Sequence, residues 1–468
     1  MTQASLGHNV HDLADLRARD ARHHLHPFSN QDALNEEGVR VITGADGVWL
    51  TDVTGKKYLD AFSGLWNVSV GYGRHEIAEA VYRQMLQLPY YNHFFKSTTV
   101  PAIELAEQLS ALAPGFTRTF FTNSGSEAND TIIRMVRHYW KLKGKPEKQI
   151  FVARHNGYHG STIGGASLGG MAWMHAQGNL PIPGVIHVQQ PWWWGEGGDM
   201  TEEQFGVFCA NEVARAMDEA GPENVAAFIG EPIQGAGGVI MPPRNYWKLV
   251  EKICRDRDVL LISDEVICGF GRTGEWFGSQ YYGFKPDMMT IAKGITSGYL
   301  PLGGVMVADH IADVLSAGGD FNHGYTTSGH PACCAAALAN LKIFQDENLV
   351  GRVKNDIGPY LAAKWKTLED HPLVGEARMV GMIGGLELTP DKAKRARFPK
   401  IGEAGTMCRD LAYKQGLVLR ATGDCMLIAP PFVLSHEEAD TLVTRARVAL
   451  DQLVPILQEK GWFEGLSP

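Results

Sequence analysis

Apolar and polar residues alternate with two different periods along this chain of 468 residues. Residues 40–62, RVITGADGVWLTDVTGKKYLDAF, alternate as half-buried strands do, and Gly-Ala-Asp-Gly and Thr-Gly-Lys interrupt them, which predicts an antiparallel meander. The segments HEIAEAVYRQMLQL (75–88) and AIELAEQLSALAPG (102–115) have the spacing of amphipathic helices, and Pro-Gly ends the second. The first 35 or so residues are polar and charged, so we expect an arm outside the main core.

From about residue 118, short β-rich runs alternate with segments of helical spacing. The strand-like runs are RTFFTNSG, QIFVAR, GVIHVQQP, VAAFIGEP, LLISDEVIC and DMMTIAKG. The helical segments are ANDTIIRMVRHYWKLKG, FGVFCANEVARAMDEAG and YWKLVEKICRDRDV. Buried strands joined by helices of crossover length predict an α/β fold, with a parallel or mostly parallel sheet covered by helices on both faces.

A chain of this length is expected to divide into domains. We predict an N-terminal arm and part of a small domain over residues 1–79, and a large α/β domain over residues 80–335. Residues 336–468 mix helices and strands and are predicted to form the C-terminal part of the small domain, together with the N-terminal meander. The long helical segment ACCAAALANLKIFQDE marks the boundary.

Composition narrows the class of protein. The formal net charge of -9 argues against nucleic acid as the main partner, because phosphate binding needs a positive surface. No run approaches the ~20 apolar residues of a membrane span, and the N-terminus lacks the apolar core of a signal peptide. The seven cysteines form no CxxC pair and no disulfide-like spacing, so a reducing compartment, a cytoplasmic location and the absence of a metal site are expected. Cys333 and Cys334, within HPACCAAALANL, are expected to be buried thiols that pack a helix.

The run GFGRTG contains Gly269, Gly271 and Gly274 in the spacing of a dinucleotide-binding loop, directly after a strand-like segment. Such a loop must open a helix, whose N-terminus then receives the pyrophosphate. The following residues, EWFGSQYYGFKPD, have no amphipathic face of helical length. The pattern therefore disfavours NAD or FAD binding and favours a turn in which backbone crowds another group.

Three other positions carry candidate chemistry. Asp264 and Glu265 end the apolar strand VLLISDE, and Lys293 directly follows the apolar run DMMTIA. Taken separately, each feature has an ordinary explanation: the acids could lie where the strand reaches solvent, and the lysine could extend outward to solvent. Carboxyl ends of parallel strands meet at the ligand crevice, and a desolvated lysine there has a lowered pKa and attacks carbonyl groups.

Ser124-Gly125-Ser126 lies between a strand and a strong helix. Alone it is an ordinary capped helix, but such small residues also free backbone N–H groups for a phosphate. Lysine, carboxylate and phosphate cradle together match pyridoxal phosphate, whose aldehyde, ring nitrogen and phosphate need these three groups.

The chain also resembles a known family through six ordered motifs. They are SGSEAN, NGYHGST, GEPIQGAGG, DEVICGFGRTG, AKG and TTSGHP. In this order they are similar to the class III (ω-) aminotransferases of fold type I, over residues 25 to 455. The similarity is greatest to pyruvate-dependent ω-transaminases of amines, diamines and ω-amino acids. It implies a seven-stranded, mostly parallel sheet in the large domain, a smaller α+β domain from both termini, and a homodimer with shared active sites, or a tetramer of such dimers.

The resemblance implies roles for particular residues. Lys293 would hold pyridoxal 5'-phosphate covalently and move protons, and Asp264 would keep the ring nitrogen protonated. The other residues implied to bind the cofactor are Ser124, Gly125, Ser126, Tyr158, His159, Glu231, Val266 and, from the partner subunit, Thr326. Those implied to bind substrate are Trp66, Phe94, Phe95, Tyr158 and Arg420, the arginine pairing with a carboxylate through two parallel hydrogen bonds.

This chain departs from the family pattern at Thr327, where relatives have an aromatic residue, and Asn67 is at a variable position. Both changes bear on substrate range rather than on the cofactor. The implied reaction is ping-pong transfer of an amino group from an amine donor to pyruvate or a similar keto acid or aldehyde. The alternatives are an aminomutase on the same fold, an NAD(P) oxidoreductase, and a non-catalytic binding protein that retains the fold.

Overall fold

The protein is described here from a computed structural model that covers residues 12–464. The strands are β1 (Ile42–Asp46), β2 (Trp49–Asp52), β3 (Lys57–Asp60), β4 (Arg118–Thr122), β5 (Ile150–Arg154), β6 (Val185–Val188), β7 (Val225–Gly230), β8 (Leu260–Asp264), β9 (Met288–Ile291), β10 (Gly303–Val307), β11 (Val374–Val380), β12 (Ile383–Leu388), β13 (Leu417–Val418), β14 (Arg420–Thr422) and β15 (Cys425–Ile428).

The helices alternate with these strands. They are α1 (Leu13–His23), α2 (Gln31–Glu37), α3 (Ser63–Trp66), α4 (His75–Gln87), α5 (Val100–Leu112), α6 (Gly125–Leu142), α7 (Ile163–Leu168), α8 (Ala172–Gly178), α9 (Trp193–Glu196), α10 (Glu202–Ala220), α11 (Tyr246–Asp256), α12 (Gly278–Tyr282), α13 (Asp309–Ala317), α14 (Pro331–Asp346), α15 (Leu349–Asn355), α16 (Ile357–Lys366), α17 (Glu403–Lys414) and α18 (His436–Glu459). Short 3-10 helices cover Lys293–Ile295 and Thr367–Asp370.

The main sheet has seven strands in the order β4-β10-β9-β8-β7-β5-β6. Strands β5 to β9 pair in parallel, and every residue of β7, β8 and β9 is buried because helices cover both faces. This confirms the predicted α/β fold with a mostly parallel seven-stranded sheet. The exception is β10, which runs antiparallel to both β4 and β9.

Two smaller sheets complete the chain. The predicted meander forms as β1, β2 and β3, and β13 joins it in parallel by pairing Leu417 with Leu59. A second antiparallel sheet has the order β11-β12-β15-β14. The N-terminal meander thus packs with C-terminal elements, whereas the predicted domain division at residue 335 falls inside α14 and stays a prediction.

Of the predicted N-terminal arm, residues 1–35, the first eleven lie outside the described residues. Within it, α1 and α2 have no buried residue. At the end of α1, Asp20, His24 and His26 bring carboxylate and ring nitrogen atoms within 4.8 Å of one another, a grouping that the sequence analysis does not predict. Between residues 12 and 464 no helix is both long and apolar enough to cross a bilayer. All seven cysteines are buried free thiols, which includes Cys333 and Cys334, the two predicted to be buried.

Candidate active site

The carboxyl ends of the central strands surround one cavity of about 400 Å³. Asp264 ends β8, Lys293 follows β9, and Glu231 follows β7. The loop after β5 adds Tyr158 and His159, and the start of α6 adds Ser124, Gly125 and Ser126. Loops at one edge of an open α/β sheet meet in this way, and the structure brings together nine of the residues that the sequence nominated, with Val266 included.

The N-terminus of α6 is open toward the cavity. Ser124 Oγ accepts a hydrogen bond of 3.2 Å from the backbone N–H of Glu127 and so caps the helix. The backbone N–H groups of Gly125 and Ser126 donate to no atom of residues 12–464. Free N–H groups and the positive end of the helix dipole together form an anion site.

Two glycines allow neighbouring segments to approach this helix terminus closely. A Cβ atom on Gly125 would lie 2.9 Å from Val266 Cγ2, and one on Gly160 would lie 2.6 Å from Ser126 Oγ. Both distances are below van der Waals contact, so side chains at these positions would displace their neighbours. Gly125 therefore brings the helix terminus close to Val266, which lines the same cavity.

Asp264 is a buried carboxylate with three hydrogen-bond donors. Its Oδ2 accepts from His159 Nδ1 at 2.6 Å and from Asn129 Nδ2 at 2.9 Å, and its Oδ1 accepts from the N–H of Val266 at 3.1 Å. Burial by itself would raise the pKa of Asp264, but His159 and the other donors outweigh burial and lower it. The carboxylate therefore stays ionised inside the protein.

Lys293 adopts a left-handed backbone conformation, with a φ of 48°. Non-glycine residues rarely adopt this strained conformation, which is concentrated at functional sites. Burial lowers the pKa of Lys293, because the ammonium loses its hydration, and the charges of Asp264 and Glu231 oppose that shift. More of the neutral, nucleophilic amine is present than for a surface lysine.

Glu231 is 2% exposed and fixes the loop that carries Tyr158. Its Oε1 accepts from the N–H of Tyr158 at 3.0 Å, and its Oε2 accepts from the N–H of Gly235 at 2.9 Å. Burial raises the pKa of Glu231, with only partial opposition from His159. Through these two bonds Glu231 holds the loops of Tyr158 and Gly235 beside the cavity.

The predicted substrate residues are distributed over several places. Arg420 opens β14, half-buried, and its charge helps to lower the pKa of Lys293. Burial lowers the pKa of Arg420 itself, and its guanidinium has no hydrogen-bond or ion-pair partner among residues 12–464. A buried cation without an anion is a binding group for one.

Of the predicted substrate-binding aromatic residues, Tyr158 lines this cavity, but Trp66, Phe94 and Phe95 do not. Trp66 is 2% exposed and packs against Phe62, while the adjacent Asn67 lines the cavity. Phe94 and Phe95 are exposed and line a separate cavity of about 860 Å³, and Thr326 is exposed and borders neither.

Sequence reasoning missed several cavity residues. The other residues lining it are Asn123, Asn129, Gly160, Ile267, Ala292, Thr296, Gly298, Leu300, Pro301 and Leu302. Asn129 had a signal: it is the last residue of SGSEAN, four positions after Gly125 and therefore on the same face of α6. The segment 298–302 had none, because its apolar side chains look like ordinary core.

The GFGRTG loop has the spacing of a dinucleotide-binding loop, but it packs against other parts of the protein. Gly271 and Gly274 have φ of 88°, and Cβ atoms there would lie 3.1 Å from atoms of Phe432 and Lys354, respectively. Only the five-residue helix α12 follows. The glycines let the loop leaving β8 pack closely against α15 and the chain before α18, as the expectation of a crowded turn requires.

The residues present fit pyridoxal phosphate. An amine of lowered pKa suits an aldehyde, an ionised carboxylate suits a protonated ring nitrogen, and the open helix terminus suits a phosphate. All three line the same cavity.

Comparison with known proteins agrees with this site. The family described as Aminotransferase class-III matches residues 32–450. The putrescine–pyruvate aminotransferase of Pseudomonas aeruginosa is 55% identical over 431 residues, which cover 92% of this chain and 94% of that protein. The diaminobutyrate–2-oxoglutarate transaminase of Halomonas elongata is 41% identical over 449 residues, covering 94% and 95%.

Solved structures give the same result. An (S)-enantioselective ω-transaminase from Thermomicrobium roseum superimposes with a TM-score of 0.91 at 42% identity, covering 95% of this chain and 99% of that one. The ω-transaminase of Pseudomonas jessenii in complex with PMP has a TM-score of 0.92 at 40% identity, covering 95% and 99%. This chain belongs to the class III aminotransferase family. It is a pyridoxal-phosphate-dependent aminotransferase of fold type I.

Proposed function

We propose that this enzyme is an ω-transaminase that moves an amino group from a primary amine, diamine or ω-amino acid to pyruvate or a similar keto acid or aldehyde. The observation that carries this proposal is the convergence of Lys293, Asp264 and the open end of α6 in one cavity. The 55% identical relative named for putrescine and pyruvate supports the choice of substrates. The order of events would be ping-pong, with the donor product leaving before the acceptor binds.

Each residue then has a defined task. Bound pyridoxal phosphate supplies an aldehyde that takes up the amino group and a ring that withdraws electrons. Lys293 Nζ would hold the cofactor covalently and, once displaced by the donor amine, move the proton at the reacting carbon. The Asp264 carboxylate would hold the proton on the ring nitrogen.

The remaining nominated residues would hold and enclose the cofactor. Ser124, Gly125 and Ser126 would bind its phosphate, and Tyr158 and Val266 would flank its ring. His159 and Glu231 would position neighbouring groups, His159 through Asp264 and Glu231 through the loop of Tyr158.

Arg420 would bind the carboxylate of keto-acid acceptors. Its guanidinium has no partner among residues 12–464, and its charge acts on the pKa of Lys293, although Arg420 itself does not line the cavity. A planar guanidinium grips a carboxylate through two parallel hydrogen bonds.

We propose further that the enzyme is a cytoplasmic homodimer, or a tetramer of such dimers. Exposed apolar side chains continue from α4 into the segment that follows it: Tyr82, Met85, Leu86, Leu88, Tyr90, Tyr91, Phe94 and Phe95. Apolar surfaces of this extent mark protein interfaces. A second copy on this surface would bring its Phe94, Phe95 and Thr326 to the neighbouring cavity, where Trp66 of this chain would support the pocket from behind.

The test is alanine formation from pyruvate with separate donors: putrescine, β-alanine, taurine and 1-phenylethylamine. Transfer from at least one donor, lost in Lys293→Ala, is the expected result. If no donor transfers its amine but one is isomerised, the chain is an aminomutase. A protein that binds the cofactor but changes none of these compounds would contradict the substrate assignment.

A further inference from the structure

Thr327 connects its own loop to Asn123, which lies just before α6, the helix whose N-terminus borders the cofactor cavity. Its Oγ1 donates a hydrogen bond of 2.8 Å to Asn123 Oδ1. The Nδ2 and backbone N–H of Asn123 both donate to Glu127 Oε2, at 2.8 Å and 2.7 Å. Asn123 is therefore held at both ends of its amide, and the next residue is Ser124, the cap of α6.

The rest of this loop follows the same helix. Tyr325 OH donates to the backbone oxygen of Glu127 at 3.1 Å, and His323 Nε2 lies 2.9 Å from Thr131 Oγ1. Segment 323–327 is thus attached to the first two turns of α6 at two points, and to Asn123 just before the helix at a third. Several bonds between two segments restrict their relative movement more than any single bond does.

Thr326 lies between the attached residues, yet its side chain is exposed and outside its own cavity. Its backbone oxygen accepts a hydrogen bond of 2.6 Å from Tyr90 OH. The backbone of Thr326 is therefore held by Tyr90 through its own carbonyl oxygen, and through the next residue by the bond between Thr327 and Asn123. The Thr326 side chain makes no hydrogen bond within residues 12–464, so these backbone contacts determine where it points.

We propose that Thr327 is a positioning residue: through Asn123 it sets where Thr326 is presented to the partner subunit's cofactor phosphate. This inference rests on the proposed homodimer, in which Thr326 completes the neighbouring phosphate site. The phosphate end of one cavity and the loop that completes the other are then one hydrogen-bonded unit. The hydroxyl on Cβ is essential to the link, because it is the atom that reaches Asn123.

The experiment uses mixed dimers in which only one of the two subunits retains Lys293. In the trans dimer, one subunit carries Thr327→Val and Lys293→Ala and the other is wild type. In the cis dimer, one subunit carries Thr327→Val and the other carries Lys293→Ala. Both dimers contain the same substitutions, but only in the trans dimer does the altered loop face the site that retains Lys293.

Titration with pyridoxal 5'-phosphate, followed by the absorbance of the covalent bond to Lys293, measures the affinity of that site. We expect the trans dimer to bind roughly 2–10-fold more weakly than the cis dimer, the range for one hydrogen bond. Thr327→Ser in the trans arrangement should restore the affinity. Equal affinities in the cis and trans dimers would overturn the inference.

Thr326→Ala in the same trans arrangement separates this inference from the proposed function. If Thr326→Ala weakens binding in trans and Thr327→Val does not, Thr326 completes the site but Thr327 does not position it. If neither changes the affinity, the proposed contribution of Thr326 to the neighbouring site is wrong, and the inference falls with it.

Discussion

His159 Nδ1 lies 2.6 Å from Asp264 Oδ2, and the two side chains are 1% and 3% exposed. The carboxylate is thereby restrained at Oδ2, while its Oδ1 accepts a hydrogen bond from the N–H of Val266. A charge-assisted bond of this length in a dry environment both orients Asp264 and favours its ionised form. His159 therefore orients the carboxylate that we propose holds the proton on the cofactor ring.

Replacing either partner should slow turnover without removing the cofactor. Asp264→Asn should lower kcat on the order of 100-fold or more, because a neutral amide does not hold a proton on the ring nitrogen. His159→Phe should lower it roughly 10–100-fold, as for loss of one hydrogen bond to a charged group. Steady-state rates and cofactor content measure both effects. Asp218→Asn, a surface carboxylate 54% exposed, is the control, and wild-type turnover in Asp264→Asn would contradict the role.

Lys293 should react with pyridoxal phosphate at lower pH than a surface lysine does. Its pKa lies below the ordinary 10.5, so the neutral amine that attacks the aldehyde is already more abundant near neutrality, and the rate falls as pH decreases. The charge of Asp264 raises the pKa of Lys293, so Asp264→Asn should move the midpoint lower still. The rate of cofactor incorporation into the apoprotein against pH measures this.

The exposed Lys252 is the internal comparison in that experiment. Borohydride trapping followed by peptide mass analysis should find the adduct on Lys293 before any appears on Lys252. A midpoint at or above the ordinary lysine value, or an upward shift in Asp264→Asn, would refute the argument.

Arg420→Ala should separate acceptors by charge. The KM for pyruvate should rise about 10–100-fold, since a bond between guanidinium and carboxylate of roughly 1.5–3 kcal/mol is lost. A neutral aldehyde acceptor should keep its KM. Parallel kinetics with the two acceptors measure the difference, with Arg257→Ala as the surface control. An equal loss for both acceptors would exclude carboxylate recognition by Arg420.

Gly125→Ala should weaken cofactor binding through contact with Val266, because the added Cβ would lie 2.9 Å from Cγ2. Overpacking of this kind costs about 1–3 kcal/mol, which is roughly 5–150-fold in Kd. Val266→Ala in the same chain should recover part of the loss, and titration of the apoprotein measures it. Gly44→Ala, where the nearest atom is 3.9 Å away, is the control. Failure of the double variant to recover would show that the clash is not the cause.

The sequence predicted the fold class because apolar runs such as VAAFIG and LLISD alternate with helical segments, which is typical of strands covered on both faces. It predicted Asp264 and Lys293 because charged residues end those runs. It did not predict β10, whose Gly303 and Gly304 weaken the strand pattern. Those glycines serve close approach: Cβ atoms there would meet the backbone oxygens of Ser124 and Phe120 at 2.7 Å and 3.1 Å.

Site residues that act through other residues were harder to find. Asn129 and Asn123 are single polar residues in helical or turn segments, and only three-dimensional contacts show that they bind Asp264 and Thr327. Phe94, Phe95 and Thr326 lie outside the cavity of Lys293, so their roles in binding stay predictions. Sequence patterns report burial and local geometry, whereas these contacts join residues more than 100 positions apart.

The position of β10 also sets the order in which the enzyme can be assembled. Strand β4, which leads into the phosphate end of α6, lies at the edge of the sheet and has β10 as its sheet neighbour. During synthesis, residues 118–122 therefore remain without a strand partner until residues 303–307 have left the ribosome. The strand that leads into the phosphate end of α6 is therefore paired later in synthesis than the parallel strands β5 to β9, because its partner is encoded about 180 residues further along the chain.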